Sequence, residues 1–149
     1  MKTLPALLIL LGLAAPAFAA EPLEFSSEPG PALNIARTLM GEERGAPLRD
    51  DETAQIALID LDGDGTRDIF AFADSSYFCG TAGCVPRLYR LQRDTGQWHE
   101  LPIESDTFLN GDPTMWSVGD KGPSGWLDLV FTTSDIRIVL SWNGSAYSN

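Results

Sequence analysis

Residues 55–73 read QIALI-DLDGDGTRD-IFAFA, two apolar runs on either side of an aspartate-rich loop. The runs contain Ile and Phe and show alternation, which is typical of strands, and neither resembles an amphipathic helix. The loop therefore joins two strands, and the sequence around it predicts a mainly β protein.

The loop places carboxylates at relative positions 1, 3, 5 and 9, and Gly65 at position 6 permits a sharp turn. Four carboxylates this close repel one another unless a cation neutralises them. Calcium accepts about six to eight oxygens in flexible geometry, whereas magnesium requires a stricter octahedron. The predicted cofactor is therefore Ca²⁺. Its candidate ligands are Asp60, Asp62, Asp64, the carbonyl of Thr66, and Asp68.

The loop departs from the EF-hand pattern. Position 12 of an EF-hand is a bidentate Glu, and here that position is Ala71. A Gly-Asp turn that binds no ion stays open as an alternative, although one or two acids would suffice for such a turn.

The segment Ile59–Ile69 resembles the calcium loop of FG-GAP and VCBS repeats, which occur in integrin-type propellers and bacterial surface proteins. The resemblance covers about 20 residues in a single copy. It implies that the aspartates at positions 1, 3, 5 and 9 hold calcium. The run Tyr77–Cys84 also resembles small exported bacterial proteins that combine such a loop with a Cys-Gly-rich turn.

The first 19 residues have the pattern of a secretory signal peptide. Lys2 supplies a positive charge, Leu4–Leu13 is apolar, and Ala17–Ala19 is a small-residue cleavage site. The apolar run is too short for a membrane anchor. We expect residues 1–19 to be removed, residues 20–30 to form a flexible lead-in, residues 31–149 to form one β-rich domain, and the protein to be periplasmic or secreted.

The charge balance restricts the partners. Nine of the ten basic residues and all 21 acidic residues follow residue 19, which gives the exported chain a net charge of −12. Such a surface repels phosphate backbones and anionic lipids. We expect no nucleic-acid partner and no membrane insertion after signal cleavage, and a protein or glycan as the class of partner.

The two cysteines, Cys79 and Cys84, predict a disulfide, because an exported protein meets an oxidising compartment. A thiolate metal site would need more ligands, and the C-x4-C spacing differs from the C-x2-C of redox motifs. These two alternatives are weaker than the disulfide.

Outside the loop, the pattern predicts one helix and several strands. A helix is expected from Pro31 to a stop at Gly41, followed by a loop over 42–53. Turns at 93–96 and at Asn143-Gly144 indicate antiparallel hairpins. The runs at 63–70 and 121–130 are weakly similar, which would make two blade-like β units; α+β is the alternative description. The candidate strands are Gln55–Ile59, Asp68–Ala73, Pro86–Gln92, Gln97–Leu101, Thr114–Val118, Trp126–Thr132, Ile136–Trp142 and Ala146–Ser148.

No catalytic constellation stands out in the sequence. The sole histidine, His99, lies between Trp98 and Glu100 in a predicted hairpin strand, and this alternation indicates a surface residue of the strand. Nucleophilic catalysis would need a base beside Ser or Cys, and His99 is the only imidazole. The four tryptophans suit either strand packing or a binding groove. We expect a binding or interaction module and no enzyme; the alternative is a small secreted hydrolase, or a hydrolase inhibitor, with a structural calcium.

Overall fold

The computed structural model describes residues 20–149, so the predicted signal peptide lies outside the described residues. The described chain is mainly β with one α-helix, as the sequence predicts. Its elements are β1 (Glu21–Pro22), α1 (Pro31–Arg44), β2 (Ala54–Ile59), β3 (Asp68–Ala73), β4 (Cys79–Gly80), β5 (Gly83–Cys84), β6 (Arg87–Gln92), β7 (Gln97–Glu100), β8 (Ile103–Glu104), a 3-10 turn (Pro113–Met115), β9 (Trp116–Lys121), β10 (Leu127–Thr132), β11 (Arg137–Trp142) and β12 (Tyr147–Ser148).

The strands form two main sheets and a small hairpin. The first sheet has the order β2-β3-β6-β7 and is antiparallel throughout. The second has the order β1-β9-β10-β11-β12-β8, in which only the β12–β8 pair is parallel. Strands β4 and β5 pair with each other. The hairpins expected at 93–96 and at Asn143-Gly144 are confirmed by the β6–β7 and β11–β12 pairs.

The alternation along β3 explains the layering of the domain. Phe70 and Phe72 belong to the core shared with the second sheet, where Phe70 meets Trp116 edge-on with ring centres 5.0 Å apart. Ile69 and Ala71 belong to a second core beneath α1. Because successive strand residues point to opposite faces, one fully buried strand serves both cores. The first sheet therefore lies between the helix and the second sheet.

The helix is longer than the sequence predicts, and the expected stop at Gly41 is wrong. Gly41 lies inside α1 and is buried, and a Cβ there would come within 3.2 Å of the Cα of Pro47. Gly41 is thus suited to a close approach of the following loop. The helix ends at Gly45, which has a left-handed φ of 78° that favours glycine.

Several short strands were missed by the sequence prediction. Strands β1, β4, β5 and β8 have two residues each, too few for a periodic pattern. Residues 20–30, predicted as a flexible lead-in, include β1, which pairs with β9, and a bridge in which Ser26 exchanges two backbone hydrogen bonds with Ile56. These pairings depend on partners far away in the sequence.

The predicted disulfide between Cys79 and Cys84 is confirmed, and it closes the β4–β5 hairpin. Cys84 also forms two backbone hydrogen bonds with Gly111, which attaches the hairpin to the segment before β9. A Cβ on Gly83 would lie 2.7 Å from the Gly111 backbone. The hairpin therefore has its own backbone attachment in addition to the disulfide.

Replacing both Cys79 and Cys84 with alanine is expected to leave the domain folded. A disulfide that closes so short a loop contributes only about 2 kcal/mol to the free energy of unfolding, and the hairpin keeps its bonds to Gly111. Urea unfolding of the variant beside Thr81→Ala, an exposed change at the hairpin tip, measures the loss. A variant that no longer unfolds cooperatively would contradict this expectation.

Candidate metal site

The aspartate loop connects β2 to β3 and is organised by hydrogen bonds from its own backbone. Asp60 Oδ2 accepts from the N–H of Gly65 at 3.0 Å, and Asp62 Oδ1 accepts from the N–H of Asp64 at 3.0 Å. Asp64 Oδ1 accepts from the N–H of Thr66 at 2.7 Å. These bonds curl the loop around its carboxylates, and the bond from Thr66 holds the pKa of Asp64 below its ordinary value.

The curled loop brings three of the predicted ligands together. One carboxylate oxygen from each of Asp60, Asp62 and Asp64 lies within 4.8 Å of the other two, so this group could hold a metal ion. Asp60 Oδ1 is buried and has no hydrogen-bond partner. A buried carboxylate oxygen without a donor is costly unless a cation or water satisfies it.

Asp68, the fourth predicted carboxylate, stands apart from this group. It is the first residue of β3 and is 2% exposed, and its Oδ2 accepts a hydrogen bond from the N–H of Leu61 at 3.2 Å. Burial raises the pKa of Asp68 to about 7; the Leu61 N–H opposes this shift, and the negative charge of Asp62 adds to it. Thr66, the fifth, contributes its N–H to Asp64, and its carbonyl remains a predicted ligand.

Three basic side chains surround the loop, and we call them the basic cluster: Arg90, Arg93 and Lys121. Arg90 on β6 contacts Asp62 directly, and its Nη2 lies 3.9 Å from Asp64 Oδ2. Arg93 donates to the backbone carbonyl of Asp64 at 2.6 Å. The Lys121 ammonium, from β9, lies 3.5 Å from the point where a side chain on Gly63 would begin. Sequence reasoning missed all three, because none is a neighbour of the loop along the chain.

The loop also joins the two sheets through Leu61, which is fully buried in the shared core. Its carbonyl accepts a hydrogen bond from the N–H of Leu127 at 2.8 Å. The carbonyl of Leu127 in turn accepts from the Tyr147 hydroxyl at 3.0 Å. Burial, together with nearby carboxylates, raises the pKa of Tyr147, so this donor keeps its proton. Order in the loop is thereby linked to contact between the sheets.

The tryptophans have different surroundings. Trp116 is buried in the shared core. Trp126 and Trp142 are half-buried and stacked, with ring centres 4.6 Å apart, and the Arg90 guanidinium lies 5.1 Å from the centre of the Trp126 ring. Trp98 packs partly against the core beneath the helix. His99 is exposed on β7, as expected for a surface strand residue.

A groove gives solvent access to one end of the loop. It has a volume of about 740 Å³, lies between residues 21–33 and the edge of β2, and reaches Asp60.

Of the described residues, none belongs to a helix that is long and apolar enough to cross a membrane. Comparison with models of known protein families, with curated proteins and with solved structures finds no match.

Proposed function

We propose that this protein is an exported β domain whose aspartate loop binds calcium, and that it works as a binding or interaction module in the periplasm or outside the cell. The observation that carries the proposal is the close group formed by Asp60, Asp62 and Asp64, in which Asp60 Oδ1 is buried without a partner. The predicted signal peptide and the disulfide support the compartment.

Calcium is favoured because all the candidate ligands are oxygens on a short, curled loop. Asp60, Asp62 and Asp64 supply the central carboxylates, and the Thr66 carbonyl and Asp68 complete the proposed set. A cation near Asp68 would favour its ionised form. Without a bidentate ligand at position 12, the Kd should lie at about 10⁻⁴ to 10⁻³ M, the range of extracellular modules.

The role we propose for the ion is structural. An ion at Asp60, Asp62 and Asp64 would hold the loop in its curled form and keep the Leu61 carbonyl on the Leu127 N–H, the bond that joins the sheets. Loss of the ion would loosen that attachment. The expected consequence is a change in stability, with the fold preserved.

Calcium is expected to raise the melting temperature by a few degrees. An ion bound only to the folded state stabilises by RT ln(1 + [L]/Kd), about 1.4 kcal/mol at ten times Kd. The measurement is a melting curve in chelator and in 10 mM calcium, a concentration roughly ten times the upper Kd estimate. Magnesium at the same concentration should give a smaller shift, because it requires stricter geometry.

Asp60→Asn is the variant best suited to this test, and it should reduce the calcium-induced rise in melting temperature. The amide oxygen can still accept from the Gly65 N–H, while the negative charge at the site is lost. Asp62→Ala is less suitable, because Asp62 also contacts Arg90. Asp106→Asn, at an exposed position outside the loop, is the matched control and should keep the full calcium shift. A wild-type melting curve that is the same in chelator and in calcium would contradict the calcium site and favour the alternative, a Gly-Asp turn that binds no ion.

The binding role is distinguished from the alternatives with calcium-loaded protein, peptidoglycan fragments and a panel of hydrolases. Saturable binding without turnover supports a module. Turnover of a fragment would make the protein an enzyme, and stoichiometric loss of a hydrolase's activity would make it an inhibitor.

A further inference from the structure

The carboxylates of the loop are not equally available to an incoming ion. Asp60 has one oxygen without a partner. Asp62 has both oxygens engaged, one by the N–H of Asp64 and the other by Arg90. Asp64 uses one oxygen for the N–H of Thr66, and its other oxygen is 3.9 Å from Arg90 Nη2. Arg90 therefore occupies the side of the group formed by Asp62 and Asp64.

The guanidinium of Arg90 has an aromatic contact, whereas its Nε lacks a hydrogen-bond partner. Its guanidinium lies over the Trp126 ring, and Trp126 stacks on Trp142. Its Nε is buried and has no hydrogen-bond partner. A buried donor without a partner is costly. The contacts that hold Arg90 in place are its hydrogen-bonded ion pair with Asp62, the nearby charge of Asp64 and the Trp126 ring.

The rest of the basic cluster has the same electrostatic effect. Arg93 and Lys121 add positive charge beside Asp64 and Gly63. These are three of only nine basic residues that follow residue 19 in an acidic chain, so their meeting at one loop is a specific feature of the fold. The loop thus carries an internal substitute for part of the charge of a bound ion.

We propose that Arg90 is the resident counter-cation of the aspartate loop, and that a divalent cation binds by displacing the Arg90 guanidinium from Asp62. This inference rests on the proposed calcium site and adds the residue that sets its affinity. Arg90 balances part of the negative charge of the clustered carboxylates. The exchange would also change the surroundings of Trp126, because the displaced guanidinium lies over the Trp126 ring while it contacts Asp62.

Arg90→Met is the test variant, since methionine keeps an apolar stem against Trp126 and removes the charge. We expect calcium to bind this variant about tenfold more tightly than wild type, because a positive charge next to the ion is gone. The effect is moderated by solvent, as the Arg90 side chain is 34% exposed. Isothermal calorimetry with calcium chloride measures both Kd values. Arg137→Met, an exposed residue on β11, changes the net charge equally and should leave the Kd within about twofold of wild type, the change expected from long-range charge alone.

A double-mutant cycle in chelator tests the contact without any metal. Asp62→Asn and Arg90→Met should each change the equilibrium constant for unfolding. The double variant should change that constant by about fivefold less than the product of the two single changes. Independent effects would overturn the inference, and so would an Arg90→Met variant that binds calcium no more tightly than wild type. Calcium binding by Arg90→Met but not by wild type would support the inference about Arg90 and contradict the proposed calcium site of the wild-type protein. If neither protein binds calcium, both proposals fail.

Discussion

Replacing Trp116 with alanine is expected to lower the free energy of unfolding by about 3 to 5 kcal/mol, the range for large aromatic residues in a core. Trp116 is 1% exposed and contacts Phe70 of the first sheet and Phe131 of the second, with ring centres 5.0 and 5.1 Å away. Its indole fills the space between the sheets. Domains of this kind have total stabilities of about 5 to 15 kcal/mol, so this one change would remove a large part. Urea denaturation measures the loss.

Trp116→Phe is the matched variant and should lose less than half as much. Phenylalanine keeps a ring against Phe70, and it removes the indole N–H, which is buried without a hydrogen-bond partner. Burial of such a donor itself costs about 1 to 3 kcal/mol. A loss of under 1 kcal/mol for Trp116→Ala would contradict the position of this residue in the shared core.

Replacing Glu52 with glutamine is expected to give the largest stability loss of any single charge change in the described part of the chain. The Glu52 carboxylate is buried and accepts from the Arg49 N–H at 2.7 Å and from Arg44 Nη1 at 2.7 and 2.8 Å. The variant leaves Arg44, on α1, without its ionic partner. A buried charge that loses its partner is strongly destabilising.

The loss should depend on pH in a defined direction. The hydrogen bond from the Arg49 backbone, followed by that from Arg44, holds the pKa of Glu52 below its ordinary value of 4.5. A carboxyl whose pKa is lowered by folding adds stability above its unfolded pKa, and that stability disappears as the pH falls through the folded pKa. The difference between wild type and Glu52→Gln should therefore be constant near neutral pH and shrink below about pH 4.5.

Thermal melts from pH 3 to pH 8 measure this difference. Asp51→Asn provides the control, since Asp51 contacts Arg49 in an exposed pair, and such pairs contribute little. A pH-independent difference between wild type and Glu52→Gln would show that the ion pair with Arg44 is not the cause.

The sequence alone determined the strands on both sides of the aspartate loop. The run at 68–73 was predicted with the bounds that β3 has, and the run at 55–59 differs from β2 by one residue. The disulfide was also determined locally, because the two cysteines are close in sequence in a loop and have no third thiol to compete. The grouping of Asp60, Asp62 and Asp64 follows from the same local spacing, since a loop with Gly63 and Gly65 at positive φ curls its acids together.

Only the tertiary structure decided what surrounds the loop. Arg90 and Lys121 come from strands of different sheets, and no local pattern links them to Asp62 or Gly63. Asp68 is 2% exposed and accepts a hydrogen bond from the N–H of Leu61, whose carbonyl accepts from Leu127 of the second sheet. The helix continues through Gly41 to Arg44, and the loop that follows packs against that glycine. The contacts that Arg90, Lys121 and Leu127 make with the loop join residues distant along the chain, so their effects on charge and burial are absent from the sequence pattern and exist only in the folded protein.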